Sequence, residues 1–328
     1  MVPNKQIWSE FILRALAHRP NFLDFGIVSI DLSPAFSPGG DTRMRIPYLK
    51  DLETVLVSDQ RIAPADDFQL QVKSVDGNTE FGAILHRGDA FKDKWLEQRR
   101  TDIVVLQRYA PQIAQYNAIQ IQNAFISILK GCFASGGVLA TSHTTGSIAT
   151  PQVLDVDQVV DAKAAHDGDD TTAGDSLKFL FVHSKTHADL VKRAKVSQAS
   201  VGDIGAKAFN NGVVDMIGDA IIVKNSRMCK PFENGSGTTV YPSYLFSSGA
   251  FYLGYQKQME IDMEQQLLYN GKRWILQWLL SYVPHLKGVN WNTVLDNPDL
   301  SDLETPANWQ KIARDHEIGV RRIITKLA

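Results

Sequence analysis

His183 and His187 stand four residues apart, the spacing at which two imidazoles on one helical face share a metal ion. No third ligand stands nearby, and Ser184 reads as a helix cap that leaves His183 outside the helix. The acidic run Asp167, Asp169, Asp170 and Asp175 has the composition of a calcium loop, but an EF-hand needs Gly at its sixth position and Glu at its twelfth. Thr172 and Lys178 hold those places, so a solvated loop is the better reading. Asn234-Gly235-Ser236-Gly237 is neither a phosphate-cradling GxxxxGK[ST] nor a GxSxG nucleophile elbow, and reads as a flexible loop between strands. His143, between Ser142 and Thr144, lacks the partner pattern of a nucleophile and its base. Cys132 and Cys229 have apolar neighbours and read as core thiols; two cysteines make no disulfide framework and suit a reducing cytosol. These groups assign no catalytic residue, no metal ligand and no cofactor, and the expectation is a protein that is not an enzyme.

Composition excludes other classes. With 328 residues, 44% apolar and 21% charged, the chain is able to bury a large core. A formal net charge of −2 leaves no reserve of cations for gripping a nucleic-acid backbone, so only weak contact with DNA, without sequence specificity, is expected. Met1 to Ala17 is interrupted by Glu10 and Arg14 and makes no secretion signal. Trp274 to Val283 is far shorter than the roughly 20 residues that cross a bilayer, so no membrane partner is expected.

The elements that would position these side chains come in four parts. Residues 1–40 open amphipathically and close in the breaker cluster Ser33-Pro34-Ala35-Phe36-Ser37-Pro38-Gly39-Gly40, which reads as an arm and a linker. From Thr42 to about Phe81, alternating pieces (Met44, Ile46, Tyr48; Phe68, Leu70, Val72) flank a charged segment, the pattern of a long two-stranded excursion. Between Thr42 and Val75 the bases Arg43, Arg45, Lys50, Arg61 and Lys73 balance the acids Asp51, Glu53, Asp59, Asp66 and Asp67. Such a hairpin is marginal alone and needs a surface to lie on.

From Asp102 to Phe133, apolar positions at Ile103, Leu106, Ala110, Ile113, Ile121, Ala124, Ile128 and Cys132 repeat at helical spacing, with Asn117 in the same stripe. The helix would span roughly 48 Å. Pro111 should kink or divide it, and Gly136-Gly137 lie just beyond its end. The chain then mixes α and β: Asp155 caps a short helix with Val156, Val159 and Val160, Leu177–Val182 is a buried strand, and Ser184 caps a helix carrying Val191 and Ala194. Strands are expected at 213–223, 241–255, 274–283 and 318–327, with Trp274, Leu276, Trp278, Leu280 and Tyr282 on one face of the third.

Several strings now resemble one family. Ile128-Leu129-Lys130-Gly131-Cys132-Phe133-Ala134 is similar to the close of the spine helix in tailed-phage major capsid proteins of the Hong Kong 97-like fold. Residues 153–163 and Leu180-Phe181-Val182-His183-Ser184-Lys185-Thr186-His187 resemble that family's central helix and strand-helix unit. Tyr244-Leu245-Phe246-Ser247-Ser248-Gly249-Ala250-Phe251 resembles its "YLFGPGAF" segment. Tyr282 to Trp291 looks like its "HPRGFKW" turn with Pro and His transposed, and Asn308-Trp309 like its late "NW". The strings run in order along nearly the whole chain. Arg99–Ala110, Ser197–Asn211 and the insert His166–Asp175 depart from it.

The resemblance implies an α+β Hong Kong 97-like capsid fold: an N-terminal arm at 1–40, an extended β-hairpin loop at 41–85, a peripheral domain at 86–149 and 261–328 carrying the spine helix, and a mixed α/β axial domain at 150–260. It also implies a subunit that assembles with itself into hexamers, pentamers and an icosahedral shell in the virion, put together in the bacterial cytoplasm. A portal protein, a separate scaffolding protein and a decoration protein are the further partners it suggests. Some relatives join a Lys to an Asn across subunits; nothing selects Lys50, Lys73 or any Asn for that role here. An encapsulin-like bacterial compartment shell shares the fold and is the nearest alternative, and a small-molecule enzyme is the alternative from another class.

The inter-subunit contact candidates are Phe11, Phe22 and Phe25 of the arm and Arg43, Arg45, Lys50, Glu53, Asp59 and Arg61 of the loop. The arm's apolar residues are too few for a domain, yet each gains roughly 1.5–3 kcal/mol when fully buried. Burial against neighbouring subunits is therefore expected to order the arm, and the loop is expected to lie on a neighbour, its mixed charges setting register.

Overall fold

Strands buried on both faces and strands buried on one face sort this chain into two main sheets that share a helix. The computed structural model describes residues 25–31, 43–49, 77–94, 105–167, 173–193, 195–200, 213–268 and 271–328. In chain order the elements are β1 (Val28–Asp31), β2 (Arg43–Leu49), β3 (Gly77–Ala83), β4 (Leu85–Lys94), α1 (Val105–Phe133), β5 (Thr144–Thr145), β6 (Gln152–Val153), α2 (Val156–Asp167), β7 (Leu177–Val182), α3 (Ser184–Lys192), β8 (Ser197–Ser200), β9 (Val213–Ile217), β10 (Ala220–Lys224), β11 (Phe232–Glu233), β12 (Thr239–Ser247), β13 (Phe251–Leu268), β14 (Gly271–Leu286), β15 (Val289–Trp291), α4 (Leu300–Leu303), β16 (Trp309–Lys311) and β17 (Val320–Lys326).

The larger sheet has nine strands, ordered β5-β17-β12-β7-β10-β9-β8, with β6 also on β17 and β11 on β12. Strands β7 and β10 run parallel, and the apolar runs Leu180-Phe181-Val182 and Ala220-Ile221-Ile222-Val223 are buried, as parallel strands covered on both faces require. One face, with Leu180, Val182, Ile222, Leu245 and Ile323, packs under α2 and α3 through Val159, Ala162 and Leu190. The other face, with Phe181, Ile221, Tyr244, Phe246 and Val320, enters the main core. Two expected strands each divide in two: β9 and β10 fold back at Gly218, whose φ of 60° suits glycine, and β12 and β13 separate at Gly249, with φ 66°. The last strand, β17, read from sequence with residues 261–328, pairs antiparallel with β12 and so lies in this larger sheet.

Asp155 caps α2 as expected: its Oδ1 accepts the Val156 N–H at 2.7 Å, and Gln158 Oε1 reaches back to the Asp155 N–H at 2.9 Å. At α3 the cap is one residue earlier than expected. His183 is the N-cap residue, its Nδ1 accepting the Lys185 N–H, while Ser184 begins the helix. Val160 and Val191, counted with the apolar pattern of α2 and α3, face outward at 55% and 51% exposure.

The smaller sheet is ordered β1-β13-β14-β4. Trp278, Leu280 and Tyr282 of β14 are buried and Leu279 between them is exposed, the expected alternation. Strand β1 corrects the reading of the arm. Residues 25–31 belong to their own chain's core: β1 pairs in parallel with Phe251–Gly254, Ile27 is fully buried, and Phe25 meets Phe181 edge to face at 6.0 Å. The cover that these apolar side chains were expected to find on a neighbour comes from their own chain. Phe11 and Phe22 lie outside the described residues.

Helix α1 runs unbroken through Pro111, so Pro111 does not divide it. Proline removes one i to i−4 hydrogen bond in a 29-residue helix, and the packing of the opposite half outweighs it. That half is more deeply placed than a one-sided stripe predicts, since every residue from Ala124 to Leu129 is buried. It meets the smaller sheet through Phe125 and Phe251, 5.0 Å apart, and the larger through Phe133 and Tyr244, 5.7 Å apart. On a further side α4 and Trp309 close over Gly131, where a Cβ would collide with the Leu303 carbonyl.

Because Ile27, just before β1, is fully buried and Ile30 on β1 is 50% exposed, the two residues separate core membership from mere presence in the arm. Ile27→Ala should lower the unfolding free energy by about 2–4 kcal/mol and Ile30→Ala by less than about 0.5 kcal/mol. Denaturant titration of both variants checks this, and equal losses would contradict the placement of β1.

Candidate functional site

The hairpin expected near 42–81 is present at its root. Strands β2 and β3 pair antiparallel from Arg43 opposite Ala83 to Leu49 opposite Gly77. The return strand is thus Gly77–Ala83; Phe68, Leu70 and Val72, expected to form it, lie outside the described residues. Alternation on β2 buries Met44 and Ile46 and exposes Arg45 and Pro47. Met44 and Ile46 pack with Ile84 and Val283 of the same chain, and Tyr252 joins them. This corrects the expectation that the whole hairpin leaves its own subunit, because these apolar side chains find their cover on β14.

A buried polar contact fixes the same root. Glu80, 1% exposed, places one carboxylate oxygen 2.6 Å from His285 Nε2, and the other accepts the Gly288 N–H at 2.8 Å. His285 is itself fully buried. Beside it the Phe81 N–H donates to Asn290 Oδ1. A carboxylate costs several kcal/mol to bury, so it is tolerated where both oxygens are hydrogen-bonded, as here. The root is therefore held in a single register on β14 and β15.

Of the contact candidates, Arg43 and Arg45 lie on β2, with their guanidinium carbons 4.5 and 5.9 Å from the centre of the Phe81 ring. Both meet an aromatic of their own hairpin. Phe25 packs internally, as above. Lys50, Glu53, Asp59 and Arg61 lie outside the described residues. Sequence reasoning missed Glu80, the anchor of the hairpin; its signal was a lone acid in the strand Asn78-Thr79-Glu80-Phe81-Gly82-Ala83, opposite in the fold to a His that had been read only as part of a turn.

Asp169 and Asp170 lie outside the described residues, and other residues weighed for chemistry make contacts within the fold. His187 Nε2 lies 2.8 Å from Asp215 Oδ2, joining α3 to β9, while His183 caps α3 and lies against the Tyr241 ring, so the two imidazoles are separately engaged. Asp167 accepts the Gly174 N–H and closes the acidic loop. Asn234 organises its loop, which is not the flexible connector expected: its Oδ1 accepts from Ser236 and Thr238 and its Nδ2 donates to the Ile148 carbonyl. Cys132 and Cys229 are buried, and burial pushes both thiols far above their ordinary range.

His143 and His166 form a buried seam where the end of α2, the loop after α1 and β17 meet. Their rings are 6.0 Å apart, and both side chains are almost fully buried. His143 contacts Ser142 Oγ at 2.9 Å and, through Nε2, the Asp315 carbonyl at 3.0 Å. Arg321 reaches the same seam, donating to the Ala165 carbonyl at 2.8 Å and to Thr145 Oγ1 at 3.1 Å. Burial holds both imidazoles neutral, down from 6.5 to about 4; Asp315 opposes this at His143, and at His166 the charges of His143 and Arg321 add to it.

Two expectations follow. Glu80→Ala strands the buried His285 imidazole and the Gly288 N–H, and should cost about 3 kcal/mol, whereas Glu80→Gln retains the hydrogen bonds and should lose less. Thermal denaturation separates them, and equal melting temperatures for both variants and the parent would refute the anchor. In the histidine seam the unfolded chain takes up protons near pH 6.5 and the folded chain near 4. Stability should therefore fall as pH drops through that window, by about 1.4 kcal/mol per pH unit for each histidine. A His166→Leu variant should show a shallower decline of melting temperature between pH 6.5 and 4; an unchanged slope would exclude the seam as its source.

No protein-family model and no curated protein sequence matches the chain. Solved structures do. The head of Helicobacter pylori bacteriophage KHP40 has 8% identity and a TM-score of 0.58, over 93% of this chain and 90% of that one. The Cyanophage Pam1 capsid has 10% identity and a TM-score of 0.56, over 92% and 88%. The capsid of Ralstonia phage GP4 has 11% identity and a TM-score of 0.55, over 92% and 87%. At such low identity, end-to-end agreement speaks for architecture: the chain has the α+β, Hong Kong 97-like fold of phage capsid subunits.

Proposed function

We propose that this chain is a structural capsid subunit that assembles with copies of itself into the shell of a bacteriophage head. The observation that carries the proposal is the extent of the fold match, which takes in 92% of this chain and 87–88% of the Ralstonia phage GP4 and Cyanophage Pam1 capsids. The interior supports it. Glu80, His285, His143, His187 and Arg321 each hold one element against another, a use that fits a structural subunit.

The division proposed is that of the sequence reading: arm 1–40, extended loop 41–85, peripheral parts 86–149 and 261–328, and axial part 150–260, with β1 and β17 tying the ends of the chain into the two sheets. The loop segment beyond the fixed root carries Lys50, Glu53, Asp59 and Arg61 toward a neighbouring subunit, and Phe11 and Phe22 of the arm find cover there too. The shell encloses DNA without specific contacts, in a virion assembled in the bacterial cytoplasm with a portal, a separate scaffold and a decoration protein as further partners.

Negative-stain electron microscopy and light scattering of the purified protein test this. Five- or six-membered rings, or closed shells, are expected. A compact monomer across salt, pH and concentration would defeat the proposal. In shells made in cells, packaged DNA marks a phage head, and an enzyme cargo held by a short peptide marks an encapsulin-like compartment.

A further inference from the structure

The charges of the larger sheet are sorted by strand end. At the carboxyl ends of the parallel pair β7 and β10, Lys185 follows β7, Lys224 ends β10, and Arg227 and Lys230 lie on the loop beyond. These segments touch: Lys224 pairs with Val182 in register, the Asn225 N–H donates to the Val182 carbonyl, and Ser226 Oγ accepts the Ser184 N–H. All four cations are exposed, and among the described residues none forms an ion pair. Glu233 is the exposed acid at this end.

The amino ends of the same strands are acidic. Asp175 precedes β7, Asp219 precedes β10, and α2, which packs along the turn at 173–176, exposes Asp157 and Asp161 on one face. Lys163 pairs with Asp219, Arg193 and the exposed Lys195 pair with Asp155 just before α2, and Lys178 is a further exposed cation; Asp157, Asp161 and Asp175 have no ion-pair partner among the described residues. Asp175 and Lys185 stand at opposite ends of the six residues of β7, roughly 20 Å apart, too far to pair within one molecule.

We infer that the basic end of this sheet in one copy docks on the acidic end, centred on Asp157 and Asp161, in the next copy, head to tail. This rests on the shell reading and names the contact within it. A heterologous contact of this kind makes a closed ring where its rotation closes. Apolar side chains stand inside both patches: Val160, 55% exposed, between the two aspartates, and Phe232, 38% exposed, beside Lys230. A nucleic-acid phosphate is the competing occupant of the basic end. The first N–H groups of α3 are already taken, that of Ser184 by Ser226 and that of Lys185 by His183, so no main-chain donors are aimed outward for it. The same chain carries the complementary patch, and complementary charge sets partner and register.

The test is a charge-swap mixture. Lys224→Glu with Arg227→Glu makes both ends acidic, and Asp157→Lys with Asp161→Lys makes both ends basic. Each full-length variant alone should need roughly tenfold more protein to assemble than the parent, by light scattering and sedimentation velocity, and an equimolar mixture should recover six-membered rings, in which the two variants alternate, but not five-membered ones. Parental assembly should also weaken as salt is raised. Retention of the cooperative thermal transition confirms folding; should a swap unfold the chain, Lys224→Gln with Arg227→Gln and Asp157→Asn with Asp161→Asn replace it, each expected to weaken assembly alone. The inference is overturned if either variant assembles like the parent, or if the mixture does no better than its components. Loss of co-purifying nucleic acid from the Lys224→Glu, Arg227→Glu variant, with unimpaired assembly of the Asp157→Lys, Asp161→Lys variant, would assign the patch to nucleic acid instead. A parent chain that never assembles defeats the shell reading itself, an outcome distinct from assembly that ignores the swaps.

Discussion

The carboxyl-terminal half of α1 must be buried on nearly every side, and most of the architecture answers that constraint. A helix with apolar residues all round cannot rest on one sheet. Here the smaller sheet covers it through Phe251, the larger through Tyr244, and α4 with Trp309 through the notch left by Gly131. The helix end brings a second demand, since its last carbonyls have no partner within the helix. Arg322, from the far end of the chain, meets it: its guanidinium donates to the Phe133 carbonyl at 2.8 Å and lies over the Phe133 ring. A cation at a helix carboxyl terminus also complements the dipole.

Around this apolar centre the buried polar groups act as selectors more than as sources of stability. A buried ion pair often does no better than a well-packed apolar pair of the same size, but breaking one is costly. Glu80 and His285 therefore penalise any register of the hairpin root that separates them. His143 and Arg321 do the same where α2 meets β17, each misplacement leaving a donor or acceptor dry. Leu, Ile and Phe tolerate sliding; these groups do not.

What the sequence displayed was local or repeated. The long helix, the capping of α2 by Asp155, the alternation of β14 around Trp278 and the apolar run of β7 were all legible, because each depends on residues within one or two turns. The ordered strings that resembled capsid proteins gave the architecture. Glu80 was not legible: its partner lies 205 residues away, and a single acid in a strand is indistinguishable from a solvated one. Residues 25–31 were misread for a similar reason, since Phe25, Ile27 and Val28 have the composition of a sticky arm and only the parallel ladder with β13 shows where they go. The outward turn of Val160 and Val191 was hidden as well, because valine marks helix faces poorly.

The place of β17 also sets a timetable. The strand lies between β12 on one side and β5 and β6 on the other, so the larger sheet remains split while residues 320–326 are unmade. Arg321 then joins Ser142 and Thr145, 179 and 176 residues earlier in the chain, late and slow closures by any measure of loop entropy. Until that moment β12 presents an open edge, which is a template for unwanted pairing. A growing chain on the ribosome is thus kept from completing this sheet until residues 320–326 have emerged, and translation products interrupted before them are left with an unpaired strand in place of a completed sheet.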